Sequence, residues 1–497
     1  MVGTTQDTRP KFKVRMLKLH RTLAWLGFAA LLLWGGSGLL HSWLTLFGVQ
    51  QAVFAAPQRE LNLAKALPFD QILAKAGVEK AAAVKVVVGE ADNLLQVTEQ
   101  ALQARRYFSL ETSAELPNHD KVYAAFLARH YLNLHYENIR SIEWIDQFSD
   151  DYHPVNRLLP VYRVSFDRDD GLNALVYTET GALAGVSNHT KQRVQTAFQW
   201  FHTWSWVPNM AETPRIVVMG VLVGALVLMS LTGLSMLILI RRRTRAAGAK
   251  GWHRLAAYVL VLPVFMFSFS GVYHLLQHGW PNNQSHLALN KPMQLNQFQF
   301  PVHAEWATLT DKLVVSGFSL IADEAGTTYY RLALPLPKGQ VPTDPQTIRN
   351  ARFDGIQATG PALYVHTRTG EPWSQGDREL AFQLAAHHTG LPREAVQSAT
   401  LITRFGPDYD FRNKRLPVWK FEYGAPLNAS VFIDTATGVM ADQTLNSAKP
   451  ESISFSMLHK WNFMFPLGRQ IQNWTIAVVT VLSIVLLAGF GIRSRFR

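Results

Sequence analysis

The chain has 497 residues, 48% of them hydrophobic, a formal net charge of +12 and no cysteine. Disulfides, thiolate zinc sites and cysteine-ligated iron-sulfur clusters are therefore excluded, and redox chemistry would need another cofactor. No Ser-His-Asp array, phosphate-binding loop, dinucleotide fingerprint or HExxH zinc motif is evident, so hydrolysis and nucleotide chemistry have no support.

In chain order, four apolar runs exceed what a soluble core helix needs: 22–48, 215–240, 255–277 and 474–492. Each is close to the roughly 20 residues that span a bilayer. The expected fold is a membrane α-helical protein of four transmembrane helices, with a two-fold internal repeat and two α+β domains outside the membrane. The expected boundaries are a basic tail at 1–19, a first span at 20–48, a first outer domain at 49–193, and a pre-helix with second span at 194–240. A basic loop at 241–252, a third span at 253–278, a second outer domain at 279–450, a pre-helix with fourth span at 451–492 and a tail at 493–497 complete the chain. The first span is too long for a signal-peptide core and is read as a retained anchor.

Charge sets the orientation. Arg9, Lys11, Lys13, Arg15, Lys18 and Arg21 precede the first span, Arg241, Arg242, Arg243, Arg245, Lys250 and Arg254 lie between the second and third, and Arg493, Arg495 and Arg497 follow the fourth. With Asp7 these fifteen cations carry +14 of the chain's +12, and everything else sums to −2. The basic balance is thus a topology signal that places both termini and the middle loop in the cytoplasm, and it gives no reason to propose nucleic-acid binding.

The chain is written twice. His20-Arg21 followed by Ser37-Gly38-Leu39-Leu40-His41 returns as His253-Arg254 followed by Ser270-Gly271-Val272-Tyr273-His274, 233 positions later. Outside the spans, the segment from Asp151 to Tyr162 aligns without a gap on Asp408 to Trp419, 257 positions later. In both halves a helical stretch (Tyr123 to His135, Glu379 to His388) precedes this block. An alternating strand and a second strand closed by Thr-Gly follow it, which reads as helix plus antiparallel hairpin.

Six histidines sit at span ends. His20 and His253 mark the cytoplasmic side; His41 and His274 mark the other. His202 and His459, 257 apart, each lie in an aromatic segment leading into a span. Ionisable groups at the edge of hydrocarbon are expensive and usually functional, and paired imidazoles suggest ligation of haem iron. Symmetry makes His20 with His253 the natural cytoplasmic pair. The pattern favours ligands for these two and for His41 and His274, with His202 and His459 as a further pair. The outer pairing among His41, His274, His202 and His459 stays open. Twenty-one residues of helix separate His20 from His41, about 31 Å, a long step between haems unless the outer one sits deeper or aromatics such as Trp34, Phe265, Phe267 and Phe269 intervene. The glycines beside Ser37 and Ser270 admit close approach, either of a flat macrocycle or of a neighbouring helix. His130, His135, His153, His387 and His388 of the outer domains read as helix and loop surface.

The His-bearing spans, the Leu-Pro-Val-aromatic blocks and the Thr-Gly turns together resemble the PepSY-associated transmembrane family, over nearly the whole chain. That family includes iron-regulated inner-membrane proteins and ferric-siderophore reductases. The resemblance implies PepSY-like periplasmic domains, about two b-type haems, a bacterial inner-membrane location, and electron transfer from a cytoplasmic or membrane donor to a ferric siderophore or similar ferric chelate. Two other readings are an outer module that binds peptides or a partner with no redox role, and a haem or iron transporter. A parallel rather than inverted repeat, few helices and no midplane charge weigh against transport.

Overall fold

The computed structural model describes residues 9–57, 59, 61, 63, 65–149, 151–207, 212–239, 248–278, 287–295, 315–334, 362–374 and 376–494. Arg241, Arg242, Arg243, Arg245, Arg495 and Arg497 lie outside the described residues, as does the side chain of His278. The chain divides into a helical unit (Met1–Val49, His189–Asn282, Ala448–Arg497) and a sheet-rich unit (Gln50–Asn188, Asn283–Ser447).

The helical unit holds four helices long and apolar enough to cross a membrane: Phe12–Phe47, Glu212–Ile238, Gly248–Gln277 and Arg469–Arg493. The first packs against the second, the second against the third, and the third against the fourth. The first and fourth each widen into a π-helical segment, Leu31–Gly35 and Ser483–Gly489, and these two segments meet. A Cβ on Gly35 would lie 3.4 Å from Ile484 and 3.5 Å from Thr480. The crossing is therefore as close as van der Waals contact allows, which is what small residues provide where lipid supplies no hydrophobic drive. Between the two ends the interior is filled by Ala30, Leu31, Leu226, Val264 and Ala488, with Phe28 and Trp34 against them.

In the sheet unit, the strands run β1 (Lys80–Ala81), β2 (Ala83–Val88), β3 (Asn93–Thr98), β4 (Arg106–Ser109), β5 (Ile139–Ile145), β6 (Val161–Phe166), β7 (Asn173–Tyr177) and β8 (Ala182–Ser187). They continue with β9 (Met293–Gln294), β10 (Gly317–Ala322), β11 (Thr328–Ala333), β12 (Ala362–His366), β13 (Val396–Ile402), β14 (Val418–Tyr423), β15 (Ala429–Asp434) and β16 (Val439–Leu445). β5 to β8 and β13 to β16 form two four-stranded antiparallel meanders, each preceded by one helix, His119–Leu132 and Gly376–Thr389. The segments 49–193 and 279–450, separate modules along the sequence, share a six-stranded sheet of order β12-β11-β10-β2-β3-β4. β2 and β10 join its halves, with Lys85 opposite Ser319.

Strand alternation gives that sheet two different faces. One is apolar: Val84, Val86, Leu95, Val97, Phe318, Leu320 and Leu332 cover Phe69, Ile72 and Leu73 of the helix Phe69–Lys75. On the other, a register row of Tyr364, Arg331, Ser319, Lys85, Gln96 and Tyr107 crosses all six strands. Each end of the row is tied to the first turn of a helix: Tyr107 donates to Asp120 at 2.7 Å, and Tyr364 donates to Asp377. At the centre Lys85 donates to the Glu179 carbonyl, while the buried Arg415 pairs with Glu179 and, at 2.8 Å, with Asp434. Burial alone would raise the Glu179 pKa, but Arg415, Lys85 and Arg105 hold it below the ordinary carboxylate value.

Candidate functional site

All six span-end histidines lie in the helical unit, and the fold arranges four of them in two facing pairs. At the basic end, His20 of the first span and His253 of the third have ring centroids 6.3 Å apart and planes at 61°. His20 Nδ1 lies 3.1 Å from the Met229 carbonyl and 3.1 Å from Thr232 Oγ1. His253 Nδ1 lies 2.9 Å from the Leu487 carbonyl. A carbonyl oxygen only accepts, so both Nδ1 atoms carry the proton and Nε2 keeps its lone pair. A glycine lies beside each ring: a Cβ on Gly233 would be 3.5 Å from His20, and one on Gly491 3.2 Å from His253.

At the opposite end, His202 and His459 face each other with centroids 6.4 Å apart and planes at 73°. Each lies in a short π-helical segment, Gln199–Thr203 or Phe455–His459. Two residues on, Trp204 and Trp461 take left-handed backbone angles, each with φ of 53°. Bulky residues rarely adopt that conformation. Here each tryptophan is held by stacking, Trp204 on Trp34 at 5.7 Å and Trp461 on Phe267 at 5.1 Å. Ser37 Oγ reaches His202 Nδ1 at 2.9 Å, and Ser270 Oγ reaches His459 Nδ1 at 3.2 Å.

His41 and His274 flank this pair. His202 stacks on Phe198 at 4.7 Å, and His41 lies 5.6 Å beyond on the same phenyl ring. Likewise His459 stacks on Phe455 at 4.6 Å, with His274 at 4.0 Å from that ring. The structure thus brings His202 to His459, and it is this pair that stands level with Ser37 and Ser270, one helical turn deeper than His41 and His274. Seventeen residues separate His20 from Ser37 and His253 from Ser270. The two layers are therefore about 25 Å apart along the helices, less than the roughly 31 Å that helix rise gives to His41.

The centroid separation in both pairs is the one a shared metal ion would need. A metal-imidazole nitrogen bond of about 2.0–2.1 Å plus a ring radius of about 1.1 Å, doubled, gives a centroid separation of about 6.3 Å. The observed separations are 6.3 and 6.4 Å. Among the described residues no three His, Asp or Glu side chains cluster as a metal site. A metal between either pair would draw its other ligands from outside the chain, as a porphyrin supplies them. Two of the outer-domain histidines are engaged with backbone: His130 Nε2 with the Ala55 carbonyl at 2.9 Å, His388 Nε2 with the Gly438 carbonyl at 2.8 Å.

No family model matches the chain, and a search of curated proteins finds no match.

Three features of the site escaped the sequence. Ser37 and Ser270 were visible as copies, yet nothing in one dimension connects them to His202 and His459. Gly233 and Gly491 are 258 apart, one position out of the 257 frame. Glu451, whose Oε1 is 2.6 Å from His274 Nδ1, has Val194 at the matching position of the first half. Its role has no repeat to announce it.

Proposed function

We propose that this protein is a haem b electron-transfer protein of a bacterial inner membrane that reduces a ferric chelate, such as a ferric siderophore, on the periplasmic side. One observation carries the reading: two facing imidazole pairs at opposite ends of the four-helix unit, each at the separation one bis-imidazole metal requires, with all four Nδ1 atoms engaged. His20 with His253, and His202 with His459, would hold two haems. Haem with two axial imidazoles exchanges single electrons and offers oxygen no open position.

The chain's own groups do the rest. Met229, Leu487, Ser37 and Ser270 orient the four rings. Aliphatic packing around Leu31, Leu226 and Val264 keeps water from the space between the layers. The flat aromatics Trp34, Phe267, Trp204 and Trp461 gather at the second layer, nearest the acceptor side. His41 and His274 stand outside the pair as flanking residues rather than ligands.

The PepSY resemblance and the duplication belong to the same reading. Ser37 and Ser270, His202 and His459, and Tyr107-Asp120 and Tyr364-Asp377 take matching positions in the two halves, as expected if one ancestral span-module-span unit was copied. The sheet unit would be the docking surface for the chelate.

The test is a dithionite-reduced minus oxidised visible spectrum of the detergent-purified protein, with haem quantified against protein. Sharp b-type bands at about two haems per chain support the reading and make ferric-chelate reduction the next assay. A chain that takes up no haem when haem is plentiful would overturn it and favour a partner-binding role for the sheet unit.

A further inference from the structure

A serine hydroxyl stands at each Nδ1 of the His202–His459 pair, with the Phe267 carbonyl also accepting from the His459 ring. At the basic end His253 Nδ1 has the Leu487 carbonyl, and His20 Nδ1 has the Met229 carbonyl together with Thr232 Oγ1, which itself donates to Met229. Ser37 Oγ donates its one proton down its own helix, to the Leu33 carbonyl at 2.7 Å, and Ser270 Oγ donates to the Met266 carbonyl at 2.7 Å. A hydroxyl has one proton to give. Toward His202 and His459 each serine can therefore only accept, and the imidazole nitrogen beside it must be the protonated one.

The result is a relay, Nδ1–H to Oγ–H to carbonyl, in which each bond polarises the next. It is buried: Ser37 is 5% exposed and Ser270 1%. Without Ser270 the His459 ring would keep the Phe267 carbonyl alone, whereas the His202 Nδ1–H without Ser37 would remain unsatisfied or would force the ring to its other tautomer. Nε2 would then carry the proton and could not bind a metal.

We propose that Ser37 and Ser270 are positioning residues that set the tautomer and the electron-donating strength of His202 and His459, so that the redox potential of this centre is adjusted by side chains independently of the centre at the basic end. The inference rests on the reading of these histidines as haem ligands. An imidazole whose Nδ1–H is held by an acceptor pushes more electron density to the metal and favours its ferric state. Loss of the serine hydroxyl therefore raises the potential of that centre and weakens its haem, by about 10–100-fold in affinity, as for other partners of ligating histidines.

The experiment compares wild-type protein, Ser37→Ala, Ser270→Ala, the threonine variants at both positions, and Ser268→Ala. Ser268 makes the same bond down its helix, to the Val264 carbonyl at 2.7 Å, and serves as the control. Two readouts are taken: the midpoint potentials of the two haems, and the histidine tautomers in haem-free protein by 15N NMR of selectively labelled rings. The expected result is that each alanine variant raises the potential of this centre and leaves the other unmoved, that Ser37→Ala shifts its histidine away from the Nδ1-protonated form more than Ser270→Ala does, since the Phe267 carbonyl still accepts from His459, and that threonine restores both readouts. Ser268→Ala changes neither. Unchanged tautomers and potentials in both alanine variants, or potentials that move together, would overturn the proposal. A wild-type chain that binds no haem would instead end the ligand reading and the potential-setting role with it, while the NMR arm still decides whether the serines hold the rings.

Discussion

His274 and Glu451 meet beside the His202–His459 pair, with Nδ1 2.6 Å from Oε1 and the carboxylate only 5% exposed. The first half has Val194 where Glu451 stands. The otherwise matched halves therefore differ in charge at this point. Glu451→Ala removes the carboxylate from His274 Nδ1–H, whose side chain is 35% exposed to water, and is expected to destabilise the helical unit by about 0.5–1.5 kcal/mol. Glu451→Gln, which keeps an acceptor oxygen, should lose less. Thermal unfolding in detergent ranks the two.

The histidines should sort by layer. His20→Ala or His253→Ala is expected to remove the haem of the basic end, and His202→Ala or His459→Ala the other, each leaving about one haem per chain. His41→Ala and His274→Ala, outside the facing pairs, should retain both. Haem content and reduced spectra of the six variants measure this, and loss of a haem from His41→Ala with full retention in His202→Ala would refute the pairing.

Space around the rings is limiting at Gly491. An added Cβ would stand 3.2 Å from both Cε1 and Nδ1 of His253, so Gly491→Val should push the ring off the Leu487 carbonyl and weaken the basic-end haem by about 10–100-fold. Gly36 has nothing within 4 Å of the same position. Gly36→Ala is expected to leave both haems in place, and a haem titration of the two variants reads the contrast.

The ion cluster of the sheet unit should be costly to break. Arg415 is 3% exposed and answers two carboxylates, Glu179 and Asp434. Arg415→Leu leaves both buried without the cation that bridges them, with Lys85 and Arg105 still near Glu179; breaking a buried pair in this way typically costs about 3–5 kcal/mol. The expected outcome is a large drop in the unfolding temperature of the sheet unit, followed by near- or far-ultraviolet circular dichroism.

Acid should weaken the same unit. Burial would raise the Asp377 pKa, but Arg331 and the hydrogen bonds from Tyr364, Trp419 and Thr435 hold it below the ordinary value, and Glu179 is likewise held low by Arg415, Lys85 and Arg105. For a carboxylate whose native pKa is depressed, the stabilisation is complete above the unfolded value of about 4 and disappears as pH falls through the native one. Melting temperature should therefore be flat from neutral pH down to about 5 and fall below about 4. Asp377→Asn should be less stable at neutral pH and show a shallower acid loss. An identical acid slope in that variant would count against Asp377.

Much of this protein is legible in one dimension because its controlling signals are local. Apolar length marks the four spans, since a bilayer demands a continuous run of hydrophobic residues whatever the helices pack against. The alternation in 162–166 and 419–423, closed by Thr-Gly, marks strands β6 and β14 and their turns, since strand period and turn chemistry need only neighbours. The histidines were visible as copies 233 and 257 positions apart.

What only the tertiary structure decided is which of those copies meet. A repeat shows that two residues are equivalent but not that they touch, because contact depends on helix packing across more than two hundred residues of chain. His202 opposes His459 because two π-helical segments and two left-handed tryptophans turn those rings inward. Ser37 becomes the partner of His202 because the first span carries it to that depth. The shared sheet was hidden for the same reason: β2 and β10 are ordinary strands in sequence, and their pairing joins segments separated by more than two hundred positions, a non-local closure that strand pattern does not encode.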